Sequence, residues 1–256
     1  MNIIIMSLLA GVVGMGLGGV ITAIFGTRTD KMISIFLSLA GGVMISIVFL
    51  ELIPEAIDYS NTWITVIGLI LGALMVQVLN NSVDKISKSS TKLHDSYAEF
   101  FHSSDMLESK KSLMRSGLIM LFAIALHNIP EGLAMGAAGY HDYALGVTIA
   151  VMIGLHNIPE GMAISAPLIS GGLSKIKTMV LVLLTGATTV IGAVIGVFIG
   201  GISELTLALS FAVAGGAMLY VVFGEILPHS INSSKDRVPT ISALVGLILG
   251  TVFTQI

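Results

Sequence analysis

Two copies of one six-residue string, His127-Asn128-Ile129-Pro130-Glu131-Gly132 and His156-Asn157-Ile158-Pro159-Glu160-Gly161, stand 29 residues apart inside long apolar runs. An ionisable side chain in such surroundings is costly and by default marks a functional site. On a helix, residues four apart share a face, so His127 lies over Glu131 and His156 over Glu160, with Asn128 and Asn157 about a quarter-turn aside. Two such arcs facing each other would form a closed cage of nitrogen and oxygen donors for a divalent metal. Their mutual pairing would answer the desolvation cost that either arc carries alone. One copy by itself could be a hydrogen-bond knot between helices. Two copies with identical spacing exceed what packing requires, and Glu131 and Glu160 would repel each other unless a positive charge lay between them.

Positioning these residues falls to helices that cross a membrane. The 256-residue chain is 55% hydrophobic and only 11% charged, with a mean hydropathy of +0.98, where a globular domain carries roughly 25% charged residues. Eight segments reach the length of about 20 mainly apolar residues that a crossing helix needs: roughly 3–25, 33–56, 62–80, 113–138, 144–170, 177–201, 204–228 and 240–255. They are too long and too continuously apolar for barrel strands. The expected fold is all-α: one polytopic membrane domain over 1–256 with eight transmembrane helices. No Lys or Arg precedes the first run, which exceeds the apolar core of a signal peptide and reads as a retained span. Small-residue stripes such as Gly192, Gly196 and Gly200 let membrane helices approach closely. The absence of cysteine excludes disulfides and thiolate ligands, and no polybasic face suggests nucleic acid.

Charge sorting orients the chain. With eight spans, all 12 basic residues fall on one face: Arg28 and Lys31; Lys85, Lys88, Lys92, Lys110, Lys111 and Arg115; Lys175 and Lys177; Lys235 and Arg237. The positive-inside rule makes that face cytoplasmic and places both termini outside. The opposite face holds Asp58, Asp142 and Glu204 without a Lys or Arg, a field that could concentrate cations at an entrance. The long connection 81–112, rich in Ser and mixed charge, is expected to be a solvated cytoplasmic loop. Its His94 and His102 do not by themselves make a metal site.

A second repeat runs at longer range. Gly41-Gly42-Val43-Met44, followed by Phe49, Glu51 and Pro54, matches Gly215-Gly216-Ala217-Met218, followed by Phe223, Glu225 and Pro228, at a constant offset of 174. The second and seventh segments are five crossings apart and run in opposite directions. The pattern predicts an inverted repeat of 3+2+3 helices, an architecture of secondary transporters with the site near the midplane. His127 lies twelve residues from Arg115, roughly 18 Å along a helix, so both strings fall near the middle of a ~30 Å core. Pro130 and Pro159 release the carbonyls of Leu126 and Leu155 and are expected to kink both helices. Met44, two turns before Glu51, either fills space or offers a soft fifth ligand. Glu51 and Glu55 at one helix end, and Glu225 and His229 at the other, are candidates for the entrance and the exit.

Tandem HNIPEG strings in the fourth and fifth of eight segments, with a long loop before the fourth, resemble the ZIP (Zrt-, Irt-like protein) family of divalent-metal transporters, especially its bacterial branches. The resemblance covers essentially the whole chain. It implies a transport site of His127, Glu131, His156 and Glu160, with Met44 contributing from the second helix. It implies an adjacent second site of Asn128 and Asn157 with the two glutamates, and Asp58 at the outer entrance. It also implies a homodimer in which helices 1, 4, 5 and 6 move against a scaffold of 2, 3, 7 and 8. One departure stands out: some bacterial members carry a Glu in the sixth helix that completes the second site. Here the stretch reads Thr185-Gly186-Ala187-Thr188-Thr189-Val190, with no carboxylate in that helix. Thr188 and Thr189 therefore put a full binuclear centre in doubt.

The expected function is transport of divalent transition metals through a cell membrane into the cytoplasm. Zinc is the leading cargo, and Fe(II), Mn, Cd and Co are admitted by the same ligand chemistry. The metal is substrate, with no cofactor; the partners are the metal ion, the bilayer and a second copy. The rival of another class is an intramembrane metalloenzyme that activates water in the same cage. A zincin would need His-Glu-x-x-His and a hydrolase a further acid or serine at the metal, and neither pattern is present. Di-iron oxidases use Glu-x-x-His order. A channel remains the alternative to a carrier.

Overall fold

The computed structural model describes residues 3–25, 29–91, 104–141, 143–199 and 203–254, and the regular structure of these residues is helical throughout. Among them we distinguish α1 (Ile3–Phe25), α2 (Asp30–Asp58), α3 (Thr62–Thr91), α4 (Ser104–His141), α5 (Tyr143–Ser170), α6 (Lys175–Ile199), α7 (Glu204–Ser233) and α8 (Val238–Phe253). The first seven contain stretches long and apolar enough to cross a membrane, while α8 is apolar and shorter, at 16 residues. The protein is a multi-pass, all-α membrane protein.

Local chemistry sets several helix starts. The Thr29 hydroxyl accepts the Met32 amide at 3.2 Å to open α2. Asn61 Oδ1 accepts the Trp63 and Ile64 amides at 3.0 and 3.1 Å to open α3. Each satisfies a donor that the first helical turn would leave unpaired. Before α8, Asp236 accepts the Val238 amide and the Ser234 hydroxyl, which together hold its carboxyl below the usual range.

Among the described residues three helices contain one widened turn each: Leu9–Val13 in α1, Val48–Leu52 in α2 and Val222–Ile226 in α7. In α2 and α7 the cause lies two residues on, at Pro54 and Pro228. Proline has no N–H for the carbonyl four residues back and its ring crowds that carbonyl, which a π-type turn just ahead relieves. The two turns lie 174 residues apart, at the offset of the sequence repeat.

Side by side, α4 packs along α6, α2 along α8, α3 along α7 and α1 along α5, while α4 and α5 lie against each other. Two apolar clusters result. The larger joins α2 and α7 with Met120 to Ile124 of α4, Ala163 to Leu168 of α5 and Val182 of α6. The smaller joins Ile3, Met6 and Ala10 of α1 with Met135 of α4, Ala150 and Ile153 of α5 and Ala193 of α6. On both α4 and α5 the HNIPEG string falls in the gap between the clusters, and in α1 the widened turn runs from Ala10 of the smaller cluster toward Met15 of the larger.

Helix and apolar segment do not end together at the long connection. The helix of α3 continues to Thr91 and α4 begins at Ser104, so of the loop expected at 81–112 the stretches 81–91 and 104–112 are helical, and residues 92–103 lie outside the described residues. An apolar window detects the part of a helix inside the bilayer, and a polar sequence can extend the same helix beyond it. His94, His102, Lys92, Arg28 and Asp142 also lie outside the described residues.

Candidate metal centre

Both α4 and α5 run on through their motif prolines, Pro130 and Pro159, as continuous helices. The closing glycine of each string permits a close approach. A Cβ at Gly132 would overlap the Thr189 carbonyl of α6, and one at Gly161 the Met15 carbonyl of α1. The motif thus carries its own packing residue, which draws α6 against α4 and α1 against α5 one residue beyond each glutamate.

His127, Asn128, Glu131, His156, Asn157 and Glu160 are all buried, none more than 2% exposed. The two strings cross-pair. His127 Nε2 lies 3.1 Å from Glu160 Oε1, and His156 Nε2 lies 3.4 Å from Glu131 Oε2. Each imidazole therefore meets the carboxylate of the other helix, although His and Glu also share a face on their own helix. Ligand atoms of His127, Glu131 and Glu160 all fall within 4.8 Å of one another. His156 joins this set through Glu131.

The asparagines are held from behind. Asn128 Nδ2 donates to the Thr185 carbonyl of α6 at 3.3 Å, and Asn157 Nδ2 donates to the Ala10 carbonyl in the widened turn of α1 at 3.0 Å. With the amide nitrogens so engaged, both Oδ1 atoms are left over. Asn128 Oδ1, Asn157 Oδ1, Glu131 Oε1 and Glu160 Oε2 are buried without a hydrogen-bond partner among the described residues. Four orphaned acceptors on the two strings would be costly if left bare, and all four are hard or borderline donors suited to a divalent cation.

The hydroxyls of α6 divide. Thr188 Oγ1 donates to its own helix at Thr185 O, 2.6 Å away. Thr189 Oγ1 is buried, without a partner among the described residues, and lies against Gly11 of α1. Of the two threonines that stand where a carboxylate was expected, Thr188 donates its hydroxyl hydrogen to its own helix and keeps its oxygen lone pairs, while Thr189 has the whole hydroxyl uncommitted among the described residues.

The remaining candidates are spread along α2 and α7. Met44 is wholly buried within the larger apolar cluster. Glu51, in the widened turn of α2, is half-buried. Glu55 and Asp58, farther along, are exposed. Glu225 differs from its repeat mate Glu51: it is buried in a network of side chains from three helices. Ser116 Oγ donates to its Oε2 and also contacts His229 Nε2. Asn80 Nδ2 donates to its Oε1 at 3.3 Å, and Arg115 Nη1 lies 3.6 Å from the same oxygen while Nη2 donates to Asn80 Oδ1. Sequence reasoning named Glu225 and His229 and missed Ser116 and Asn80. The available signal was a polar residue at the edge of an apolar segment, opposite a glutamate in another.

A family model described as ZIP zinc transporter matches residues 75–256. The zinc transporter ZupT of Chlorobaculum parvum is 33% identical over 255 residues, covering 95% of this chain and 92% of its own. That of Akkermansia muciniphila is 33% identical over 263 residues, covering 97% and 96%. That of Campylobacter jejuni is 31% identical over 261 residues, covering 91% and 87%.

Proposed function

The chain belongs to the ZIP zinc transporter family, and from that membership we propose that it carries zinc through the cell membrane into the cytoplasm by way of the cage on α4 and α5. The observation that carries this reading is the crossed pairing of His127 with Glu160 and His156 with Glu131, surrounded by four orphaned oxygens between two apolar clusters. Each imidazole pairs with the carboxylate of the other helix. An arriving dication takes over that role, accepting the carboxylate oxygens and the asparagine Oδ1 atoms without further groups having to be brought in. The ligand set is one of nitrogen and oxygen alone and admits Fe(II), Mn, Cd and Co beside zinc. Asp58 and Glu55, exposed beyond Glu51, fit an entrance on the face free of Lys and Arg.

The inverted 3+2+3 arrangement is part of the same proposal. It is supported by the common offset of the widened turns and by helix contacts that repeat with it. A Cβ at Gly42 would overlap Ala243 and one at Gly216 would overlap Leu69, so each contact maps onto the other by 174. The homodimer implied by the family also belongs here, supported by α3, whose apolar window is only 22% buried within the protomer. Light scattering of the solubilised protein would test it by its mass.

The deciding experiment is metal uptake into vesicles, with a panel of divalent ions and with and without a proton gradient. His127→Ala, Glu131→Ala, His156→Ala and Glu160→Ala should each lower zinc uptake more than ~tenfold while the protein still inserts. Normal transport by all four would reduce the cage to packing.

A further inference from the structure

The repeat that equates Glu51 with Glu225 breaks down in the surroundings of the two glutamates, and the break has a direction. On the face that carries every basic residue, Glu225 of α7 is buried to 3% exposure. It is bound by Arg115 and Ser116 of α4, by Asn80 of α3, and through Ser116 by His229 of its own helix. On the other face, Glu51 is half-buried, and among the described residues no Lys or Arg lies within ion-pair distance of it. The 29-residue offset that carries His127 to His156 carries Arg115 and Ser116 to Ala144 and Leu145. The cation and the hydroxyl of one mouth thus have two apolar residues as their counterparts at the other.

Resting on the transport reading above, we propose that Arg115 is a built-in stand-in cation. By neutralising Glu225 and tying α4 to α3 and α7, it keeps the basic-face mouth shut, and the departing metal must displace it.

Three features favour a latch over a fixed strut. A half-buried arginine on a buried carboxylate contributes little net stability, since desolvation offsets most of the attraction, and such pairs are best attested in specifying one arrangement. The network joins the helix that bears His127 and Glu131 to two helices that bear neither. Arg115 also remains 29% exposed at its side chain, so water can receive the guanidinium when it leaves. Glu225 Oε2 and His229 Nε2, 3.8 Å apart, are then left as the donors that a passing dication meets.

The chain has no native cysteine, so a single reporter can test this. Met120 is wholly buried one turn from Ser116 on the cage side. In metal-free proteoliposomes of the full chain carrying Met120→Cys, a membrane-impermeant thiol reagent is applied from the basic face. Arg115→Met and Glu225→Gln should each speed labelling about tenfold, and the double variant should label no faster than the faster single. Unchanged rates, or rates that multiply in the double variant, would overturn the latch. An Asp58→Cys reporter on the other face should be unaffected. Faster labelling there too would mean general loosening and would equally sink the proposal. Because no metal is present, the result stands apart from the transport reading, which uptake by the unmodified protein tests alone.

Discussion

At the scale of single residues, the site is a set of donors with an uneven supply of charge. Two carboxylates and two imidazoles meet in crossed pairs, and the two amide oxygens next to the histidines in sequence and the Thr189 hydroxyl of α6 are buried without a partner among the described residues. One dication balances Glu131 and Glu160; a second would bring positive charge with no carboxylate to meet it, at a depth where screening is poor. We therefore expect one tightly held metal per protomer, counted on purified protein and located by anomalous diffraction. Two full-occupancy peaks within ~4 Å of each other would contradict this. Asn128→Ala should reduce transport less than His127→Ala, because it removes a neutral oxygen and leaves both crossed pairs intact. His, Asn and Glu were legible in the sequence because charge in an apolar run needs a reason. The crossing of the pairs was not, since i and i+4 spacing specifies a shared face and says nothing of which neighbour the side chain prefers.

At the scale of helices, much of the geometry is carried by backbone contacts that no side-chain pattern announces. Gly132 and Gly161 let α6 and α1 reach the site, and the amides of Asn128 and Asn157 fasten those same helices by their carbonyls. Gly132→Val should force α4 from α6 and cost about 1–3 kcal/mol, seen as a lower Tm of the solubilised protein. Gly154→Ala is the control, because its Cβ would meet Ala10 at an ordinary 3.5 Å and should leave Tm level or slightly raised. Equal losses from both would refute the close-approach account. Apolar length was enough to find the eight helices, and Pro54 and Pro228 hinted at irregularity. The widened turn of α1 had no proline to mark it, and the polar extensions of α3 and α4 lay beyond what an apolar window can detect.

At the scale of the whole molecule, orientation rests on the sorting of basic residues, which is independent of the cage. A cysteine placed in the 81–112 stretch should be labelled from the cytoplasmic face only, and one beside Asp142 from the outside only. Labelling of both from one side would break the eight-span topology. Along α4 and α5 the HNIPEG strings lie between two apolar clusters, near the middle of each crossing helix, and that placement has an electrical consequence. On the proposed reading, an ion entering the cage from outside would cross about half of the membrane's insulating thickness. For a dication, half the distance and twice the charge compensate, so an inside-negative voltage favours occupancy by ~2.3 kcal/mol per 100 mV, about fiftyfold. Half-saturating zinc for uptake should fall steeply as the vesicle interior is made negative, and a voltage-independent value would place the cage outside the field. An energised cell would in that way load the site from dilute metal with no help from a co-transported ion.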